Sequence, residues 1–231
     1  MTYEEVVSEI AAISSGEMKR FTEKLTPTQD YVYGVRVPDL RALAKRIREE
    51  SEAFLAHEKH SLEEKMLHGF ILCYRKRDFA QFRKDILAFV PMIDNWAVCD
   101  CVAATCKAVG RNRDLFSADI ERLAESEQPF ARRFASVLLL DYYTEEKYAP
   151  LIFSVCERIK RGEYYVDMAI AWLLSVCYVK MGDLTGKYLA ECTLEESVLK
   201  KTERKILESF RVSEEEKRKI RKDGVRHLIW R

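Results

Sequence analysis

Four strongly apolar helical segments begin near Met66, Asp100, Phe134 and Met168, each 34 residues after the one before. Phe134-Ala-Ser-Val-Leu-Leu-Leu140 lines up with Met168-Ala-Ile-Ala-Trp-Leu-Leu174, and Met66-Leu-His-Gly-Phe-Ile-Leu72 has the same profile. More amphipathic stretches lie between them, at 78–89, 115–126 and 145–159. A helix that is apolar on most faces must sit between neighbours. A period of about 34 to 47 residues built from two helices is the signature of an α-solenoid of the HEAT, armadillo or tetratricopeptide type. No alternating strand pattern competes with it. The period therefore predicts an all-α fold, an α-solenoid of HEAT/armadillo-like helical repeats. Residues 1–231 are expected to form one helical-repeat domain with a basic helical end at about 200–231. The competing arrangement is a non-repetitive helical bundle.

Local signals agree with helices. Ser61-Leu-Glu-Glu64 and Thr193-Leu-Glu-Glu196 fit the capping box, in which a hydroxyl and a glutamate three residues on satisfy each other's amides. Pro38 stands where a helix over 39–50 should begin. Only 8 glycines and 5 prolines occur in 231 residues, which disfavours a turn-rich β fold. Hydrophobic residues make up 48% and charged residues 33%, as in a soluble globular chain. No apolar run reaches the roughly 18 residues of a membrane span. Met1-Thr2-Tyr3-Glu4-Glu5 lacks the basic start and apolar core of a signal peptide. The expectation is a cytoplasmic monomer without membrane contact.

The seven cysteines lie mostly in apolar helical stretches and read as reduced, buried thiols. Cys99-x-Cys101-x4-Cys106 has cysteines facing different ways on a helix, and no histidine pair follows at zinc-finger spacing. No metal site is expected, and the four histidines have no ligand or triad spacing. The net charge of +1 hides an asymmetry. Residues 200–231 hold twelve Lys or Arg against six Asp or Glu, while the first 199 hold 27 against 32. A basic end can face phosphates, or be an ordinary solvated helix end.

Asp100 is the candidate for chemistry. It lies in the apolar stretch Asn95-Trp96-Ala97-Val98-Cys99-Asp100-Cys101-Val102, one helical turn after Trp96, so the two share a face. A carboxylate in such a setting is costly unless it is paired or does chemistry. From these residues alone the ordinary reading is a cap, an ion pair or a solvent-facing group. By the same measure Trp172 reads as a core aromatic and Arg133 as a surface or ion-paired cation. Repeat stacking would bring Asp100, Arg133, Asp167 and Trp172, at or near equivalent repeat positions, toward one surface.

Five short segments, in order, carry a resemblance. They are Tyr33-Gly34-Val35-Arg36-Val37-Pro38-Asp39-Leu40-Arg41, Asn95-Trp96-Ala97-Val98-Cys99-Asp100, Pro129-Phe130-Ala131-Arg132-Arg133-Phe134, Tyr165-Val166-Asp167-Met168-Ala169-Ile170-Ala171-Trp172, and Glu208-Ser209-Phe210-Arg211-Val212-Ser213. Together they resemble the AlkD-like DNA alkylation repair proteins, HEAT-like DNA glycosylases. The resemblance implies excision of cationic alkylated purines, N3-methyladenine and N7-methylguanine, from double-stranded DNA without metal or cofactor. It implies that Asp100 is the catalytic carboxylate, that Trp96 and Trp172 hold the deoxyribose, and that Arg133, or the adjacent Arg132, contacts the DNA backbone. Asp167 departs from the basic character that this helix often has in relatives.

The chemistry suits those residue types. Breaking a sugar–base bond builds oxocarbenium character on the sugar. A cationic purine leaves without a general acid, so one carboxylate can suffice. Tryptophan faces carry negative quadrupoles toward the developing charge. Two other readings stay open: a non-catalytic binder of branched or distorted DNA, and a helical-repeat scaffold that binds another protein.

Overall fold

Leu62, Trp96, Pro129, Tyr164 and Glu196 open five helices at intervals of 34, 33, 35 and 32 residues. The period of the apolar pattern is thus a period of helix starts. The structure, a computed structural model, describes residues 1–227. The chain divides into two units, Met1–Arg111 and Asn112–Arg231. Among the described residues the fold is all-α helical repeats, and extended pairing is limited to one isolated parallel bridge between Tyr31 and Ser61. No helix among them is long and apolar enough to cross a membrane.

The first unit contains α1 (Tyr3–Ala12), α2 (Gly16–Leu25), α3 (Val37–Ile47), α4 (Glu52–Ala56), α5 (Leu62–Tyr74), α6 (Phe79–Phe89), α7 (Trp96–Ala103) and α8 (Lys107–Arg111). Helix α5 is its centre: α3, α6 and α7 all pack on it. Leu67, Phe70 and Ile71 of α5 are fully buried. Gly69 lets α7 approach closely, since a Cβ there would stand 2.4 Å from a Val102 methyl.

The buried start of α5 also holds the N-terminal motif in shape. Glu63 is 2% exposed, yet its carboxylate accepts from the backbone amides of Tyr33 (2.9 Å), Gly34 (2.8 Å) and Val35 (3.2 Å). A buried carboxylate is tolerable when its oxygens are bonded in this way. Gly34 has φ +86, and its turn lies so close to α2 that a Cβ would come within 2.3 Å of the Lys19 nitrogen. Only glycine fits both demands. Ser61 caps α5 by accepting from the Glu64 amide at 3.1 Å. The Glu64 carboxylate reaches the His60 amide (3.1 Å) and the Tyr3 hydroxyl (2.8 Å), so the expected box is shifted by one residue and ties in α1.

The second unit contains α9 (Arg113–Ala124), α10 (Pro129–Tyr142), α11 (Ala149–Arg158), α12 (Tyr164–Lys180), α13 (Gly182–Glu191), α14 (Glu196–Glu208) and α15 (Glu214–Asp223). Every residue from Ala131 to Leu140 is buried, because α10 lies between α9 and α12. Helix α12 is covered in turn by α14. Ion pairs join residues one repeat apart: Lys147–Asp114 (3.0 Å), Lys160–Glu127 (2.7 Å), Arg161–Glu195 (2.5 Å) and Lys201–Asp167 (2.9 Å).

The capping box expected at Thr193 does not form. Helix α14 starts at Glu196 without a side-chain cap. The Thr193 hydroxyl and amide instead bond the Glu157 carboxylate of α11. A tertiary partner one repeat away outcompetes the local amide. Likewise the stretch 145–159 is not one helix: a short 3-10 turn, Glu146–Tyr148, precedes α11.

Two outcomes follow for the first unit. Glu63→Ala strands three backbone amides, two of them at buried residues, and should destabilise the protein by about 3 kcal/mol in urea unfolding. His68 of α5 is held neutral by burial, with Lys59 and Arg75 adding to the effect, and its pKa falls from 6.5 to about 3. The unfolded chain therefore binds the proton more readily than the folded one, and stability is lost as pH drops from 6.5 toward about 3. His68→Leu should show a smaller fall in melting temperature than wild type between pH 7 and pH 4.

Candidate functional site

Asn95 sets the position of α7. Its side-chain oxygen caps the helix by accepting from the Val98 amide at 3.0 Å, and its side-chain amide donates to Asp94 at 2.8 Å. Asp94 is held by Lys65 of α5 at 2.5 Å, and Lys65 also meets Asp30 at 2.6 Å. The cap is thereby bolted to the centre of the unit. Ala97, Val98, Cys99, Val102 and Ala103 turn into the core. Trp96 and Asp100 are left half-buried, one turn apart on the same face. The segment expected to begin a helix near Asp100 begins at Trp96, so the carboxylate lies mid-helix rather than at a cap.

Arg41 of α3, inside the N-terminal motif, meets the same helix. Its guanidinium donates to the Cys101 carbonyl at 3.3 Å and lies 5.1 Å from the centre of the Phe70 ring. Sequence reading gave Arg41 no role; the only signal was its place in that motif. Burial pushes the Cys101 thiol up to about 11, so this cysteine is no thiolate at neutral pH. Cys73 and Cys106 bring their sulfurs to 3.4 Å. Among the described residues no group of three or more His, Cys, Asp or Glu could hold a metal ion.

Arg133 and Trp172 belong to the second unit. Arg132 is 1% exposed and donates to the Ser126 (2.9 Å) and Glu127 (3.2 Å) carbonyls just past α9. Arg133 is 6% exposed and reaches across to the Tyr165 carbonyl of α12 at 2.6 Å. The two neighbours thus serve different helices. Asp167 is buried, pairs with Lys201 and accepts from the Gly162 amide at 3.0 Å. Its charge is therefore answered inside the fold rather than presented to a ligand. Lys201 is a partner that no local pattern points to.

Trp172 is not the core aromatic that its apolar neighbourhood suggests. It is 38% exposed, while Ala171 and Leu173 on either side are fully buried. It lines a cleft of about 320 Å³ with Val176, Val179, Lys205, Phe210 and Arg211.

Among the described residues the chain is thus an all-α helical-repeat fold that displays a tryptophan and a carboxylate together on one helix face. The family is more specific: a family model described as DNA alkylation repair enzyme matches residues 6–214, and the chain belongs to that family. No curated protein matches the chain.

Asn95→Ala removes the cap of α7 and should cost about 1 kcal/mol, read as a lower melting temperature.

Proposed function

We propose that the protein is a DNA glycosylase that releases cationic alkylated purines, N3-methyladenine and N7-methylguanine, from duplex DNA. The observation that carries this reading is the pairing of Trp96 and Asp100 on one half-buried helix face in a chain of the alkylation repair family. The bond between C1′ and the purine nitrogen breaks, and its electron pair leaves with the base. A cationic purine thereby departs as a neutral molecule and needs no proton donor. The sugar gains oxocarbenium character, which the Asp100 carboxylate stabilises. Water attacks C1′ and loses its proton to Asp100 and then to solvent. The products are the free base and an abasic deoxyribose.

Trp96 offers its ring face to the sugar. Trp172, with its exposed ring, is assigned to the deoxyribose, and Arg133 to the DNA backbone. Metal and cofactor have no part in this scheme, and the chain acts as a monomer in the cytoplasm. One observation favours a second reading, a binder of branched DNA that releases no base: Arg133 is nearly buried and already gives an N–H to Tyr165.

Methylated duplex DNA incubated with the protein should release 7-methylguanine. Asp100→Asn should slow release by about 10²- to 10³-fold, the scale of removing one electrostatic stabiliser, with DNA affinity retained. No release by the wild-type protein, with tighter binding to branched than to linear DNA, would select the second reading.

A further inference from the structure

Phe210 is wholly exposed, at 102% of its reference area. It is nonetheless held in place. The Ser209 amide donates to the Ile206 carbonyl at 3.1 Å to close α14, and the Ser209 hydroxyl accepts from the Arg211 amide at 3.2 Å. Val212 is buried, and Ser213 opens α15 through a capping box with Glu216. Phe210 therefore stands at the tip of a short turn pinned at both ends. A single exposed aromatic needs no explanation. This one shares the 320 Å³ cleft with the exposed ring of Trp172.

The two rings stack on no other ring among the described residues. Glu208 is engaged by Arg204 (3.0 Å) and Lys205 (3.1 Å). Arg211 makes no side-chain ion pair among the described residues and lies on the cleft wall. The surrounding segment, 200–231, holds twelve cationic against six anionic side chains. An aromatic pair beside an unneutralised arginine suits a planar base joined to a phosphate, and base–aromatic stacking is tolerant of sequence.

We infer that the cleft between the C-terminal half of α12 and the 208–211 turn takes an unstacked nucleotide of DNA, its base against Phe210, its deoxyribose along Trp172 and its phosphate on Arg211. This rests on DNA being the ligand but not on base release. The chemistry recognised is that of a displaced or bulged nucleotide, which a fully paired duplex does not offer.

Fluorescence anisotropy with labelled duplexes, one fully paired and one with a single bulged nucleotide, tests it. Wild-type protein should prefer the bulged duplex. Phe210→Ala should weaken that complex about tenfold and change the paired complex less than about twofold, with the melting temperature unaltered. Arg211→Ala should lower the salt slope of bulge binding by about one. Equal binding of the two duplexes by wild type, or unchanged bulge affinity in Phe210→Ala, would overturn the inference, as would self-association that Phe210→Ala abolishes while DNA affinity stays the same. The 7-methylguanine assay run on the same preparations separates the two questions: bulge preference without release spares this site and refutes the glycosylase, and release without bulge preference does the reverse.

Discussion

A helix that is apolar all round has nowhere to go except between two others. Helix α10 is the extreme case, with ten consecutive buried residues from Ala131 to Leu140. Its burial favours a partner for each polar group it carries, because an unpaired one costs more than a bonded one contributes. Ser136 gives its hydroxyl to the Arg132 carbonyl at 3.0 Å, Arg132 closes the end of α9, and Arg133 crosses to α12. On α12, Asp167 takes Lys201 and the Gly162 amide. The apolar layer supplies the driving force, and these bonds fix its register.

The first unit applies the same rule to a different task. Buried Glu63 gathers the amides of residues 33–35, and Lys65, two residues on, holds Asp94 beside the cap of α7. Helix α5 thus supports both the N-terminal motif and the helix that presents Trp96 and Asp100. Segments that look like functional signatures divide accordingly. The Tyr33–Val35 turn is architecture, whereas α7 buries its apolar residues and leaves its tryptophan and its carboxylate half-exposed.

Much of this was legible in the chain. The 34-residue rhythm announced helical repeats, and the ordered motifs pointed to the family whose model spans residues 6–214. The failures share one cause. Thr193 has every local feature of a cap, yet Glu157 takes it. Trp172 sits in an unbroken apolar run, yet its ring is open to solvent. Asp167 departs from the basic character expected of its helix, and its partner is Lys201. For Thr193 and Asp167 the deciding neighbour lies about one repeat, 36 and 34 residues, away, and for Trp172 the outcome depends on what packs beside α12. Local spacing contains no term for it.

By itself the sequence determined the kind of helix each segment forms and the interval at which it recurs. Both depend only on the order of apolar and polar side chains along the chain. Tertiary structure alone decided which groups stay open, the half-exposed face of Trp96 and Asp100 and the exposed Trp172 and Phe210, and which are buried, Arg132 and Asp167. Exposure is a property of what packs alongside, and in a stacked repeat that is always a residue from another layer.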